Sequence, residues 1–74
     1  MTAKEFIFGN RGTQSLIALK MGVGKQSVSN WCTGKNIPTA RNIIKMTKAL
    51  EELGVQTNEA EIFSIFSEIE KNAE

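Results

Sequence analysis

Residues Thr13 to Lys35, TQSLIALKMGVGKQSVSNWCTGK, read as two short helices joined by a tight turn, and the rest of the chain is arranged around them. The first helix is expected from Gln14 to about Met21, with Thr13 as an N-cap whose hydroxyl satisfies an orphan backbone donor. Gly22 supplies the turn, because glycine adopts positive φ without a Cβ clash, and short turns containing Gly hold two helices at a fixed angle. The second helix starts near Lys25, and counting separates its faces. Val28 and Trp31 lie three apart and fall on one side, where Ile17, Met21 and Val23 can receive them. Gln26, Asn30 and Thr33 lie on the other side, flanked by Ser27 and Ser29. Ala18 is small where the two helices must cross closely.

The outer face of the second helix therefore consists almost wholly of short hydrogen-bonding groups, which suit base edges and which a merely solvated helix of Lys and Glu does not need. The pattern, TQ followed by an aliphatic residue and Ala18, then Gly22 and an aliphatic residue, then VSNW and GK, resembles the Cro and repressor type of helix-turn-helix domain, the XRE-like regulators of phage and bacteria. The resemblance implies an all-α, five-helix, lambda-repressor-like fold with the helix-turn-helix at about residues 13–33, one domain spanning 1–74. It extends more loosely through Ile37, Pro38 and the helix to Leu53, and fades beyond.

Roles follow only at matching positions. The resemblance implies base reading by Lys25, Gln26 and Asn30, with Ser29 beside them. It implies contact with the DNA backbone by Gln14, Thr33, Lys35 and Arg41, and a phosphate or base contact by Ser27; Asn36, beside Lys35 in the same loop, is a further backbone candidate. It also implies double-stranded DNA as partner; because one such helix reads only a few base pairs, a homodimer at least on DNA is expected, and no cofactor or metal is expected. The chain departs from the family pattern at Gly24, where a Ser or Thr N-cap is usual, at Cys32, where Glu is frequent, and at Leu16, where a polar residue is frequent. The helix before Gly9 is also shorter than usual.

The overall charge of +1 conceals a strong asymmetry. Residues 1 to 48 carry eight cations against Glu5 alone, a net +7, and residues 49 to 74 carry Lys71 against seven glutamates, a net −6. A segment of that positive charge is held against phosphates by counterion release, whereas the acidic remainder is expected to face away.

The remaining elements read as scaffold. Thr2 and Glu5 form a capping box that opens a helix through about Phe8, which Gly9 can terminate, with Phe6 and Ile7 supplying core. Asn10 to Gly12 read as a turn, where Arg11 either reaches phosphate or is solvated. Pro38 fits the entrance of a helix from Thr39 to about Leu53, with Ile43, Ile44, Thr47, Leu50 and Leu53 inward and Gly54 stopping it. Trp31 reads as core, since it sits with Val28. A last helix at about 58–72 opens on the capping signal of Asn58 and Glu61, and Ile62, Ile65, Phe66 and Ile69 form a narrow apolar stripe. Phe63 falls about 100° off that stripe: it is either an edge residue of a core that the stripe closes or, with Phe66, the candidate for a twofold dimer contact, and the second reading is favoured.

Composition excludes most enzymes. The chain has no His, Asp or Tyr, so the usual general base, the carboxylate-oriented triad and His-containing metal sites are absent. GVGKQS at Gly22 to Ser27 fails as a phosphate loop, because Leu19 stands at the required first glycine and Gln26 follows the lysine where Ser or Thr is needed. The single Cys precludes an internal disulfide and reads as a packing residue, and no signal peptide or membrane-spanning run is visible. A cytoplasmic location follows. Two functions fit these observations: a sequence-specific DNA-binding repressor or Cro-like regulator, and a protein-interaction module of antirepressor or antitoxin type. The amides at Gln26 and Asn30 favour the first, since a protein-binding face calls for large apolar anchors there.

Overall fold

The computed structural model describes residues 2–9 and 11–72, the latter without the side chains of 11 and 70–72. Five helices follow in order, α1 (Ala3–Phe8), α2 (Arg11–Met21), α3 (Lys25–Cys32), α4 (Ala40–Glu52) and α5 (Glu59–Asn72). The fold is all-α, and among the described residues there is no strand.

Local chemistry sets most helix ends. Thr2 Oγ1 accepts from the Glu5 amide at 3.1 Å, and Glu5 Oε1 accepts from the Thr2 amide at 2.9 Å, closing the expected capping box. That backbone donor holds the Glu5 carboxyl below its ordinary range. Thr39 Oγ1 caps α4 by accepting from the Asn42 amide at 3.2 Å, and Asn58 Oδ1 caps α5 by accepting from the Glu61 amide at 2.8 Å. The Glu61 carboxylate accepts from the Thr57 hydroxyl at 2.7 Å, so Glu61 braces the loop before α5.

Three helices end the same way. Gly22, Gly34 and Gly54 all have positive φ, at 74°, 80° and 86°. The next residue's amide reaches back to the carbonyl four residues before each glycine: Val23 to Ala18, Lys35 to Asn30 and Val55 to Leu50, at 3.1, 2.9 and 2.8 Å. This satisfies carbonyls that a helix otherwise leaves open, and it needs a residue without a Cβ at the left-handed position. Gly9 works differently. It is right-handed, at φ −65°, and a Cβ there would come within 2.8 Å of the Glu5 carbonyl oxygen, so glycine serves a close approach rather than a left-handed stop.

The core draws on every helix: Ile7, Ile17, Val28, Met46, Leu50 and Ile62 are the largest fully buried side chains. Trp31, Ile43, Ile65 and Phe66 join them, with Phe6, Leu53 and Ile69 packed at the edge. Thr47 is buried beside them because its hydroxyl donates to the Ile43 carbonyl at 2.8 Å. Among the described residues no buried side-chain polar atom lacks a partner.

Four expectations are corrected. The helix expected to open at Gln14 begins at Arg11, so Thr13 lies inside α2 and is not its N-cap. The turn is correspondingly shorter: α1 ends at Phe8 and α2 begins at Arg11, with two residues between them, the packing of α2 on its neighbours outweighing the low propensity of Gly12. The side chain of Arg11 and all of Asn10 lie outside the described residues. Ile44, expected inward, is 44% exposed, because α2 and α5 flank α4 and its buried face is filled by Met46 and Ala49 instead. Phe66, offered with Phe63 as a dimer contact, is only 2% exposed; it closes the core, and its surface is already used within one chain.

Candidate nucleic-acid interface

The surface of interest is built by α2, α3 and the loop leading to α4. Ile17 and Ala18 of α2 meet Val28 and Trp31 of α3 in the core, and the small Ala18 permits the close approach of the two helices. Gly22 turns the chain between them. Gly24 begins α3 in extended geometry, at φ −70° and ψ 146°, with no side-chain cap. The anchor thus comes from one face of α3. What remains outward is polar.

Gln26 is exposed and Asn30 half-buried, and they are not independent: Gln26 Nε2 donates to Asn30 Oδ1 at 3.0 Å. The pairing leaves the Gln26 carbonyl oxygen and the Asn30 amide hydrogens as the outward groups, an acceptor beside donors on one helical face. Gln14, Lys25, Gln26 and Ser29 line a single cleft between α2 and α3. Gln14 is partly committed, since its Nε2 donates to the Ile7 carbonyl at 3.4 Å and so ties α2 to the end of α1. Ser27 is half-buried and Lys25 exposed.

The far end of α3 is organised by one carbonyl. Asn30 O accepts from the amides of Lys35 and Asn36, at 2.9 and 3.3 Å, and from the Thr33 hydroxyl at 3.3 Å. This folds residues 33–36 back over the last turn, so that the exposed Lys35 and Asn36 sit at the end of α3. Arg41 is exposed in the first turn of α4. The fold-back was missed at the level of sequence, although Gly34 three residues after Trp31 is the signal that reveals it.

The basic charge of residues 1 to 48 does not all gather at α3. Lys20, Lys45 and Lys48 line a separate cleft with Glu52, between α2 and α4, and Lys4 sits 4.0 Å from Glu68 across α1 and α5. Among the described side chains, Lys25, Lys35 and Arg41 are the cations on α3, its loop and the first turn of α4. Cys32, on the last turn of α3, packs at the edge of the core, and burial pushes its thiol up to about 11. It is a packing residue in its protonated form.

A glycine turn between two short helices, the second anchored by Val28 and Trp31 and outwardly polar, defines the helix-turn-helix class. A family model described as helix-turn-helix matches residues 11–55, more than half of the 74-residue chain. The chain belongs to this family of XRE-like helix-turn-helix domains, and is a DNA-binding transcription regulator in that general sense. Neither a curated protein nor a solved structure matches it. Among the described residues, no helix is long and apolar enough to cross a membrane.

Proposed function

We propose that this protein is a sequence-specific repressor or Cro-like regulator of the phage and bacterial kind, which lays α3 in the major groove of double-stranded DNA. The observation that carries the reading is the joined amide pair of Gln26 and Asn30 on the outer face of a helix whose inner face is locked in the core. Paired amides with an acceptor and donors side by side match adenine, which presents N7 as acceptor and N6 as donor in that groove. Lys25 and Ser29 read the neighbouring positions. Gln14, Ser27, Thr33, Lys35, Asn36 and Arg41 hold phosphates, which position the helix without carrying sequence information.

A helix of this size reads only a few base pairs, so two copies act on a twofold operator with half-sites about 10 to 10.5 bp apart. Phe63, 59% exposed on α5, is the side chain that joins them. Occupying the operator is how such a protein represses, by excluding other proteins from the same DNA.

Selection from random duplex DNA, followed by footprinting on sites with inserted spacers, tests the proposal. The expected result is an enriched twofold sequence whose affinity falls when the spacing departs from one helical turn. Failure to enrich any sequence would end the DNA-reading proposal in favour of a protein-binding role.

A further inference from the structure

Helix α2 keeps a second face clear of both the core and α3. The apolar groove between α4 and α5, lined by Ile43, Ile44, Ala60 and Phe63, is already taken up by the two-copy reading. On α2, by contrast, Leu19 is 77% exposed and Leu16 39%, and neither the core nor the DNA reading uses them. They stand three residues apart and share one side of the helix. Lys20 follows Leu16 by four residues, which sets it beside them, and it opens a cleft between α2 and α4 that Lys45, Lys48 and Glu52 complete. Buried Met21 and Ala49 form its floor.

The charge of this cleft has no answer nearby. Lys20, Lys45 and Lys48 are exposed, and among the described residues none of them forms an ion pair, not even with Glu52, one turn on from Lys48. Nor does the cleft belong to the face that α3 presents. Gln14 lines the cleft on the α3 side of α2, and Lys20, six residues on, lies about 120° around the helix from it. Gln14 and Arg41 stand near the starts of their helices, whereas Lys20 is in the last turn of α2 and Lys48 in the third turn of α4. The leucines and the lysines thus form one continuous surface on the far flank of α2.

A phosphate backbone would answer the lysines, but it would leave Leu16 and Leu19 in water and set phosphates beside Glu52. A partner that offers carboxylates next to an apolar strip answers both. We infer that this surface binds an acidic amphipathic helix of another protein, whose apolar stripe covers Leu16 and Leu19 and whose carboxylates reach Lys20, Lys45 and Lys48. Orientation is set by charge, since these cations lie to the α4 side of the leucines. The docking does not rest on the DNA reading. Where that reading holds, the surface stays open while α3 is in the groove, and the protein carries its partner to the operator.

A library of helical peptides with randomised surface positions, selected against the whole chain, tests the inference. The expected winners carry Leu, Ile or Phe at i, i+3 or i+4, and i+7, flanked by Glu or Asp. Lys20→Glu and Lys48→Glu are each expected to weaken a winning peptide roughly tenfold and Leu19→Gln roughly fivefold, while Lys35→Ala stays within about twofold of the parent. Leu19→Gln is expected to keep the helicity of the parent by circular dichroism and its affinity for duplex DNA. Winners without acidic residues, winners indifferent to Lys20→Glu, or a library without winners would overturn the inference. So would amide shifts at residues 16–21 and 45–52 that answer random-sequence duplex as strongly as peptide, which would give the lysines to phosphate. Self-association abolished by Lys20→Glu would give the surface to a second copy and overturn it as well. A chain that binds the peptides as expected but enriches no duplex would instead sink the DNA reading and leave the docking surface assigned.

Discussion

Helices α3 and α5 are built on the same plan and put it to opposite ends. Each has one apolar face set in the common core, Val28 and Trp31 for α3 and Ile62, Ile65 and Phe66 for α5. They differ outside. The outer face of α3 carries short amides and hydroxyls, with Gln26 and Asn30 joined to each other and the Asn30 carbonyl tied to a folded-back loop. The outer face of α5 is acidic, with one aromatic residue at its edge. A polar face of fixed geometry suits a polar partner read group by group, whereas an aromatic at the lip of an apolar groove suits a partner recognised by shape. The two readings of this molecule, as a DNA reader and as half of a pair, thus separate onto two helices.

The sharpest way to break the comparison is to attack the inner face of α3. Trp31→Ala is expected to destabilise the fold by about 3 to 5 kcal/mol, a large share of what a domain of this size possesses, and DNA binding should vanish with helicity in a thermal melt. The outer face should behave in the opposite manner. Gln26→Ala or Asn30→Ala should leave the melt unchanged and weaken the selected site by about 1 to 3 kcal/mol. Because the two amides are bonded to each other, the double variant is expected to lose less than the sum of the singles, a coupling that a double-mutant cycle on the preferred duplex would measure. Full additivity would mean that the pair does not act as a unit.

Lys35→Ala and Arg41→Ala separate reading from positioning. Either should weaken specific and non-specific duplexes alike and reduce the slope of log affinity against log salt by about one unit if each holds one phosphate as proposed. A change of base preference at constant slope would move the residue into the reading face. The smallest expected effect is at the start of α3. Gly24 already has the extended geometry of an N-cap, and a Cβ there meets nothing within 4 Å, so Gly24→Ser should stabilise the fold by a few tenths of a kcal/mol in denaturant melts without altering DNA preference.

Much of this was legible beforehand, for particular reasons. The boundaries of α3, the burial of Val28 and Trp31 and the exposure of Gln26 depend on spacing within eight residues, and period 3.6 exposes them directly. The caps at Thr2 and Asn58 depend on neighbours three residues away. Those are local questions. The start of α2 was misplaced because Gly12 and Thr13 look like a turn and a cap in isolation, and only packing against neighbouring helices keeps them helical. The charge of residues 1 to 48 was legible as a sum and not as a distribution, since Lys20, Lys45 and Lys48 meet in a cleft formed by helices far apart in sequence.

The sequence by itself determined the class of the protein, the helix that carries the polar face and the side chains on that face, because helical period and capping chemistry act over a few residues. Only the tertiary structure decided which apolar residues were left over. Ile44 and Phe66 have the same apolar character, yet Ile44 lies at the lip of a groove and Phe66 is sealed inside, since burial is settled by which helices flank a given face. The Gln14 link to α1 is likewise tertiary, formed when the chain returns on itself and its remaining hydrogen-bonding groups must find partners.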